Sequence, residues 1–262
     1  MKFMDRIIFL GTAGARVVVF KQLRASGGIW FSLGSKEILV DPGPGSLVRA
    51  LSRRQKLDPT KLDAIVLTHR HLDHSADVNV MIEAMTESGR TRRGILFAPQ
   101  DCLEVDPVVL IYVRDFLEKI VCLEEGSVYD VDGVQFSTPV KHIHGDVDTY
   151  GLLFTLKTFS LAYIADTKYF DALIDAYRSD VLIVNVVRYT PLEYDHLDLE
   201  GAKRLISGVR PRLAILTHFG MTMLRAKPWE LGARLSNELG LEVICARDGM
   251  TLNLQERLTN PR

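Results

Sequence analysis

The stretch Thr68-His69-Arg70-His71-Leu72-Asp73-His74 carries the main signal for both fold and chemistry. Three histidines and one aspartate follow directly on a short apolar run at residues 64–67. A wholly apolar run of that length predicts a strand covered on both faces. Imidazole and carboxylate ligands suit zinc, iron and manganese, and a mixed nitrogen and oxygen set is typical of hydrolytic metal sites. We therefore expect two metal ions here: His69 and His71 would share the first, and Asp73 and His74 would bind the second.

Further residues of ligand type follow the ends of other predicted strands. They are His144, Asp166 and His218, which come after apolar or alternating runs at residues 134–140, 160–164 and 213–217. Each alone would more often be an ordinary polar residue, but their shared placement with the first cluster favours a metal site. His142 lies two residues before His144, so a strand would place both on one face. The residues leave open which of the two is the ligand.

The remaining chain alternates short strands with turns and then with helices, twice over. Strands are predicted at residues 6–10, 28–33, 37–40, 64–67, 95–98, 127–131, 134–138, 151–156, 160–164, 181–187, 213–217, 242–245 and 250–254. Helices are predicted at residues 46–51, 76–88, 168–177, 199–209 and 228–239. This order predicts an α/β fold in which two mixed sheets pack face to face with helices outside, a four-layer α/β/β/α sandwich. We expect residues 1–262 to form a single domain.

Composition argues against several classes of protein, although an extended nucleic acid is not excluded as a partner. The formal net charge of −1 offers no basic field for nucleic acid, and the longest apolar runs are far shorter than a membrane span. The apolar residues 7–10 are too few for a secretory signal. We expect a cytoplasmic protein.

The order of these residues resembles the metallo-β-lactamase superfamily over nearly the whole chain, including an early aspartate at Asp41. The resemblance implies a binuclear site in which Asp166, in Ala165-Asp166-Thr167, bridges two ions. It implies one ion held by His69, His71 and His144, and another held by Asp73, His74 and His218. A proline three residues upstream favours His142 for the third position, whereas the spacing to Tyr150-Gly151 favours His144. The aspartate at 166 disfavours the antibiotic-hydrolysing branch, which usually has cysteine there.

His196 points to one branch of that superfamily. It lies in Tyr194-Asp195-His196-Leu197-Asp198, ahead of a predicted helix and 22 residues before His218. This arrangement resembles ribonuclease Z and the phosphonate-pathway phosphodiesterases. A histidine there can donate a hydrogen bond or a proton to a phosphoryl or leaving oxygen. The alternative is an ordinary helix start, with Asp195 or Asp198 as the cap.

These observations predict a metal-dependent hydrolase that cleaves a phosphodiester. Two divalent ions, zinc first with manganese or iron as alternatives, would share a hydroxide that attacks phosphorus. Asp73 would orient this hydroxide as well as bind metal, and His196 would assist the leaving group or phosphoryl oxygen. The alternatives are a thioester or lactone hydrolase of the same fold, and a metal-binding protein without catalysis. Structural zinc sites are usually closed and cysteine-rich, which argues against the latter.

The expected substrate is small or accessible rather than an extended nucleic acid, because affinity for long nucleic acids depends mainly on neutralised phosphates. Two short basic groups exist, Arg90-Thr91-Arg92-Arg93 and Ser52-Arg53-Arg54-Gln55-Lys56. Both are interpreted as solvated surface. The chain also lacks a recognisable counterpart of the glycine- and proline-rich arm with which ribonuclease Z grips tRNA. The sequence predicts no membrane partner and leaves homo-oligomerisation open.

Overall fold

The structure is a computed structural model that describes residues 4–52, 57–191 and 193–259. Its first half contains β1 (Arg6–Phe9), α1 (Ala15–Phe20), β2 (Ile29–Leu33), β3 (Lys36–Val40), α2 (Ser46–Ser52), β4 (Ala64–Val66), α3 (Leu72–Ser75), α4 (Val78–Met85), β5 (Ile95–Ala98), α5 (Ile111–Arg114) and β6 (Lys119–Cys122). Its second half contains β7 (Ser127–Val131), β8 (Val134–Thr138), β9 (Leu152–Thr155), β10 (Ser160–Ile164), α6 (Ala172–Ala176), β11 (Val181–Asn185), α7 (Leu199–Val209), β12 (Leu213–Thr217), α8 (Met221–Arg225), α9 (Pro228–Leu239), β13 (Glu242–Cys245), β14 (Thr251–Asn253) and α10 (Leu254–Thr259).

These strands form two seven-stranded sheets. The first has the order β14-β1-β2-β3-β4-β5-β6 and the second the order β13-β12-β11-β10-β9-β8-β7. In each sheet one half is antiparallel, and β3 to β6 and β10 to β13 are parallel. The last strand, β14, pairs with β1 and so returns the chain to the first sheet.

Three apolar layers hold this arrangement together. One lies between the sheets, with Phe31 and Phe154 in contact across it at 5.4 Å between ring centroids. A second lies beneath α7 and α9, and a third beneath α2 and α4. Buried strands such as β4 and β11 are apolar on both faces because each face meets one of these layers. The four-layer α/β/β/α sandwich predicted from the sequence is confirmed.

Several element bounds differ from the sequence prediction. The helix expected at residues 76–88 is divided into α3 and α4, and it ends early because Glu87 and Ser88 adopt left-handed backbone angles. The helix expected at 168–177 is confined to Ala172–Ala176. Strand β6 was missed, because its edge position leaves it half exposed and without a clear alternating pattern.

No helix in the described ranges is long and apolar enough to cross a membrane.

Candidate metal centre

The parallel strands bring the residues of ligand type to one edge of the sandwich. His69 follows β4, Asp166 follows β10 and His218 follows β12, each where its strand ends. The carboxyl ends of parallel strands lie at a common edge, which is the usual place for a ligand site in α/β sheets. All three side chains are at least 90% buried.

The loops after β4 and β12 each pack closely against a glycine. A β-carbon on Gly43 would lie 2.0 Å from the carbonyl oxygen of Asp73, and one on Gly14 would lie 2.2 Å from that of His218. Glycine is therefore required at both positions for the loops that carry the candidate ligands to pack as they do. His218 itself has φ of 58°, a strained backbone conformation that is common at functional sites.

The side chains of the described residues form four overlapping groups of three potential donors. Within each group, the donor atoms lie within 4.8 Å of one another. The first donor group is His69, His71 and His144, and the second is Asp73, His74 and His218. The other two, His69, His74 and Asp166, and His144, Asp166 and His196, both include Asp166. The first and second donor groups are the sets that the family resemblance implies for two ions, so the fold brings together the residues that the sequence singled out.

Asp166 lies between the first and second donor groups. Its Oδ2 is 3.7 Å from His74 Nε2, 3.9 Å from His144 Nε2 and 3.4 Å from His218 Nε2. Its other oxygen, Oδ1, accepts a hydrogen bond of 2.9 Å from Asn185 Nδ2. The carboxylate is thus held by Asn185 with one oxygen directed towards both groups, the arrangement expected of a bridging ligand.

The hydrogen-bonding state of the imidazoles shows that this centre fits metal ions. His74 Nδ1 donates to Asp41 Oδ2 at 2.9 Å, and His144 Nδ1 donates to the Asp195 carbonyl at 2.8 Å. In the neutral form of these rings the opposite Nε2 atoms carry lone pairs directed into the cluster. Among the described residues, the Nε2 atoms of His69, His74 and His218 are buried without a hydrogen-bond partner, which is costly unless a cation binds there. His144 Nε2 also lies only 3.1 Å from His71 Nδ1.

Asp41 anchors the ligand loop from beneath. It is buried, its Oδ1 accepts from Thr68 N at 2.7 Å, and its Oδ2 accepts from the Thr68 hydroxyl at 2.8 Å and from His74. Since the Thr68 hydroxyl donates to Asp41, it can accept from His69 Nδ1, 3.1 Å away. Through these contacts Asp41 sets the tautomers of both His74 and His69.

His142 lies apart from the first and second donor groups. It is buried, its Nε2 is 3.0 Å from the Tyr177 hydroxyl, and the two rings pack edge to face. Burial is the main cause that lowers the pKa of His142 to about 3. The structure therefore brings His144, and not His142, towards His69 and His71.

His196 reaches the cluster on a loop that precedes α7. Its Nδ1 lies 3.4 Å from Asp166 Oδ2, and its ring centroid lies 4.7 Å from that of His144. The cap of α7 is supplied by Asp198, whose Oδ1 accepts from Gly201 N at 2.7 Å. Asp198 is thus the cap that the helix-start interpretation named, and the position of His196 beside Asp166 is what favours a role in the cluster.

Asp195 ties this loop to the third ligand loop. Besides the carbonyl contact with His144, its Oδ2 accepts from Gly145 N at 3.0 Å. Its Oδ1 lies 3.4 Å from Lys168 Nζ. The hydrogen bond from Gly145 is the main cause that lowers the pKa of Asp195 and keeps it ionised. The residue before His196 thus fixes both that histidine and His144.

The charges of the cluster oppose one another. Burial would raise the pKa of Asp166, but His218 and His74 hold that pKa well below its ordinary value. Burial would lower the pKa of His218, but Asp166 and Asp73 raise it to about 9. Burial and the neighbouring His74 charge keep the pKa of His69 well below its ordinary value. In the metal-free cluster the ionised carboxylates are thus neutralised by protonated histidines. Divalent cations can take the place of those protons.

Two supporting residues could not be recognised in the sequence. The Tyr163 hydroxyl donates to Asp41 Oδ2 at 3.2 Å, and Asn185 Nδ2 contacts both Tyr163 and Asp166. Asn185 ends the apolar strand β11, and an amide at the end of such a strand was the only available signal. Tyr163 looked like any strand residue.

Comparison with known proteins places the fold and the site in context. A family model described as the β-lactamase superfamily domain matches residues 36–219. An uncharacterised protein of Methanocaldococcus jannaschii is 30% identical over 259 residues, covering 95% of this chain and 94% of that protein. Ribonuclease Z of Clostridium botulinum is 30% identical over 102 residues, 39% of this chain and 31% of that enzyme.

Solved structures of other proteins have a similar fold. The metallo-β-lactamase fold protein YhfI from Bacillus subtilis has a TM-score of 0.77 and 20% identity, with 95% of this chain and 99% of that chain covered. A diphosphatase of the PhnP family has a TM-score of 0.72 and 22% identity, with 96% and 98% covered. At such identities the likeness shows the fold alone. Together with the family model and the M. jannaschii relative, it shows that this chain belongs to the β-lactamase superfamily, as a hydrolase-type member with the metallo-β-lactamase fold.

Proposed function

We propose that this protein is a binuclear metal-dependent phosphodiesterase. In this proposal His69, His71 and His144 hold one divalent ion, and Asp73, His74 and His218 hold another. Asp166 would contribute a carboxylate to holding both ions. Zinc suits this mixed nitrogen and oxygen set, and manganese and iron are the alternatives.

Each side chain has a role that follows from its position. Bound divalent ions would lower the pKa of a water molecule and neutralise the charge of the phosphoryl group. Asp73 supplies a carboxylate that can orient the attacking water, because its Oδ2 lies on the cluster side, 3.5 Å from His218 Nε2. Asn185 and Asp41 hold Asp166 and His74 in the required orientations.

His196 is the observation that carries the phosphodiester assignment. Its buried Nδ1 lies 3.4 Å from Asp166, which leaves Nε2 as the nitrogen that can contact a substrate. Burial is the main cause that lowers the pKa of His196, so the neutral ring predominates near neutrality. Because Nδ1 makes no hydrogen bond to the described residues, the neutral ring can carry its proton on Nε2 and donate it in a hydrogen bond to a phosphoryl or leaving oxygen. The names of two similar proteins, a diphosphatase and ribonuclease Z, also refer to phosphate compounds.

The expected substrate is small or accessible rather than a long nucleic acid. The basic group at residues 90–93 precedes β5 and so lies at the opposite end of that strand from the metal centre. Within it, Arg92 Nε donates to the Leu117 carbonyl at 3.0 Å, and Arg93 Nη2 donates to the Leu62 carbonyl at 2.9 Å. Both guanidinium groups are therefore engaged in backbone contacts. The second basic group, residues 52–56, lies largely outside the described residues.

The test combines metal analysis with turnover of bis(4-nitrophenyl) phosphate by the metal-loaded protein. Wild type is expected to bind two ions per chain and to hydrolyse the diester. His196→Ala should keep both ions and lose about 10²-fold or more in kcat, the scale of one acid or oxyanion donor. Asp166→Ala should lose metal and turnover together.

Tyr194→Ala is the matched control, because Tyr194 lies on the same loop and is 63% exposed. It should behave as wild type. A limit of one ion per chain would refute the binuclear centre. If the protein hydrolyses thioesters or lactones but not phosphodiesters, it is a thioester or lactone hydrolase of the same fold. If it binds metal but hydrolyses none of these substrates, it is a metal-binding protein without catalysis.

A further inference from the structure

A second concave surface adjoins the metal centre on the side of His71. We call it the lateral pocket, and its volume is about 440 Å³. That volume lies within the range of roughly 300–1,000 Å³ typical of small-molecule sites. Its lining residues are Arg70, His71, Leu72, Ser75, Ala76, Asn79, Asp106, Pro107 and Val108. His71 also belongs to the first donor group, so the lateral pocket and the metal centre meet at this residue.

The outer wall of the lateral pocket is a loop, residues 105–110, that hydrogen bonds hold in place. Asn79 Nδ2 donates to the Val108 carbonyl at 2.9 Å, and Asn79 Oδ1 accepts from Leu110 N at 2.8 Å. Arg70 Nη2 donates to the Asp106 carbonyl at 2.9 Å and to its Oδ2 at 3.0 Å. These bonds fix the loop to α4 and to the ligand loop, so the pocket is preformed.

This loop also contains backbone strain beside the pocket. Val105 and Asp106 have φ of 21° and 66°, and positive φ is unfavourable for a β-branched residue. Val105 is 90% exposed and Leu72 is 70% exposed, although both are apolar. Strain and exposed apolar surface at the mouth of an active site indicate a binding role.

The lining indicates what the pocket accepts. Leu72, Ala76, Pro107 and Val108 supply apolar surface, and Arg70 supplies a planar cation. Apolar walls beside a guanidinium favour a planar aromatic group, which can pack on the former and stack on the latter. We propose that the lateral pocket binds one aromatic ester arm of the substrate while the phosphoryl group lies at the metal centre. The substrate is then an aryl- or nucleobase-bearing phosphodiester, and this inference rests on the proposed function for the position of the phosphoryl group.

The experiment measures binding by calorimetry to the metal-loaded protein, with diphenyl phosphate and dimethyl phosphate as probes. Ala76→Trp is the blocking variant. Ala76 is exposed and has helical backbone angles, so a tryptophan there fits the fold and fills the pocket. Val80→Trp is the matched control, because Val80 is exposed on α4, one turn further on, and does not line the pocket.

Wild type is expected to bind diphenyl phosphate at least about tenfold more tightly than dimethyl phosphate, the scale of one buried apolar group. Ala76→Trp should abolish that preference and leave dimethyl phosphate affinity unchanged, whereas Val80→Trp should keep it. Equal affinities in wild type, or a preference that survives Ala76→Trp, would overturn the inference. Turnover of bis(4-nitrophenyl) phosphate is measured separately. An aryl preference sensitive to Ala76→Trp without turnover would refute the proposed function and leave the pocket assignment standing.

Discussion

Replacing Asp41 with asparagine should weaken metal binding with little change in the fold. The Asp41 carboxylate accepts four hydrogen bonds, from Thr68 N, the Thr68 hydroxyl, His74 Nδ1 and the Tyr163 hydroxyl. In Asp41→Asn one oxygen becomes an NH₂ group that only donates. If the remaining oxygen still accepts from Thr68 N, the hydroxyls of Thr68 and Tyr163 can rotate and accept hydrogen bonds from the new NH₂ group. His74 can accept only by moving its proton to Nε2, the atom that a metal ion requires.

The magnitude follows from this change of tautomer. Removing the outer partner of a metal-binding histidine typically lowers metal affinity by about 10- to 100-fold. That range equals about 1.4–2.8 kcal/mol, which agrees with about 1.5–3 kcal/mol for a hydrogen bond to a charged group. We therefore expect a loss of about 10- to 100-fold for the ion bound by Asp73, His74 and His218.

Alanine at the same position should have a different effect. Asp41 has φ of 53°, a region that asparagine tolerates and alanine does not. Asp41→Ala also leaves several buried donors unpaired, each at a cost of about 1–3 kcal/mol. Asp41→Ala should therefore lower both the free energy of unfolding and metal affinity, whereas Asp41→Asn should lower mainly metal affinity.

The assay is a competition titration of each variant against a chromophoric chelator, with urea unfolding of the metal-free protein measured in parallel. Asp63→Asn is the matched control. Asp63 accepts a hydrogen bond of 2.9 Å from Glu37 N and lies before β4, at the end away from the metal centre. Its asparagine variant should bind metal as wild type does. Unchanged affinity in Asp41→Asn, with normal folding, would show that Asp41 does not set the His74 tautomer.

Three further predictions concern the same centre. His142→Gln should keep the full metal content, whereas His144→Gln should lose one ion; the reverse result in elemental analysis would reassign the ligand. Gly43→Ala should lower both stability and metal affinity, because the new methyl group would lie 2.0 Å from the Asp73 carbonyl oxygen; we expect a loss of about 1–3 kcal/mol or more in urea unfolding. Hydrolysis of a nitrophenyl phosphodiester should exceed 3′-end cleavage of a precursor tRNA and vary little with salt; efficient tRNA cleavage that falls steeply with salt would contradict the preference for small substrates.

The sequence alone indicated which residues could hold metal ions, and it predicted the layered fold that carries them. The candidate ligands from His69 to His74 lie close together in the chain, so their spacing after a buried strand was sufficient to single them out. The alternation of apolar strands and helices likewise depends on local periodicity. Elements without a clear period, such as β6 at a sheet edge, were missed for the same reason.

Only the tertiary structure decided which distant side chains meet. His142 and His144 lie two residues apart in the sequence. Only the structure shows that His142 packs against Tyr177 and away from the other candidate ligands. The contact between the Asp195 carbonyl and His144 joins loops 51 residues apart, and a backbone carbonyl leaves no trace in a sequence pattern. The lateral pocket similarly depends on how a loop after β5 is fixed beside the ligand loop. Sequence patterns record local periodicity and residue type, whereas such contacts depend on how loops from separate strands converge at one edge of the sandwich.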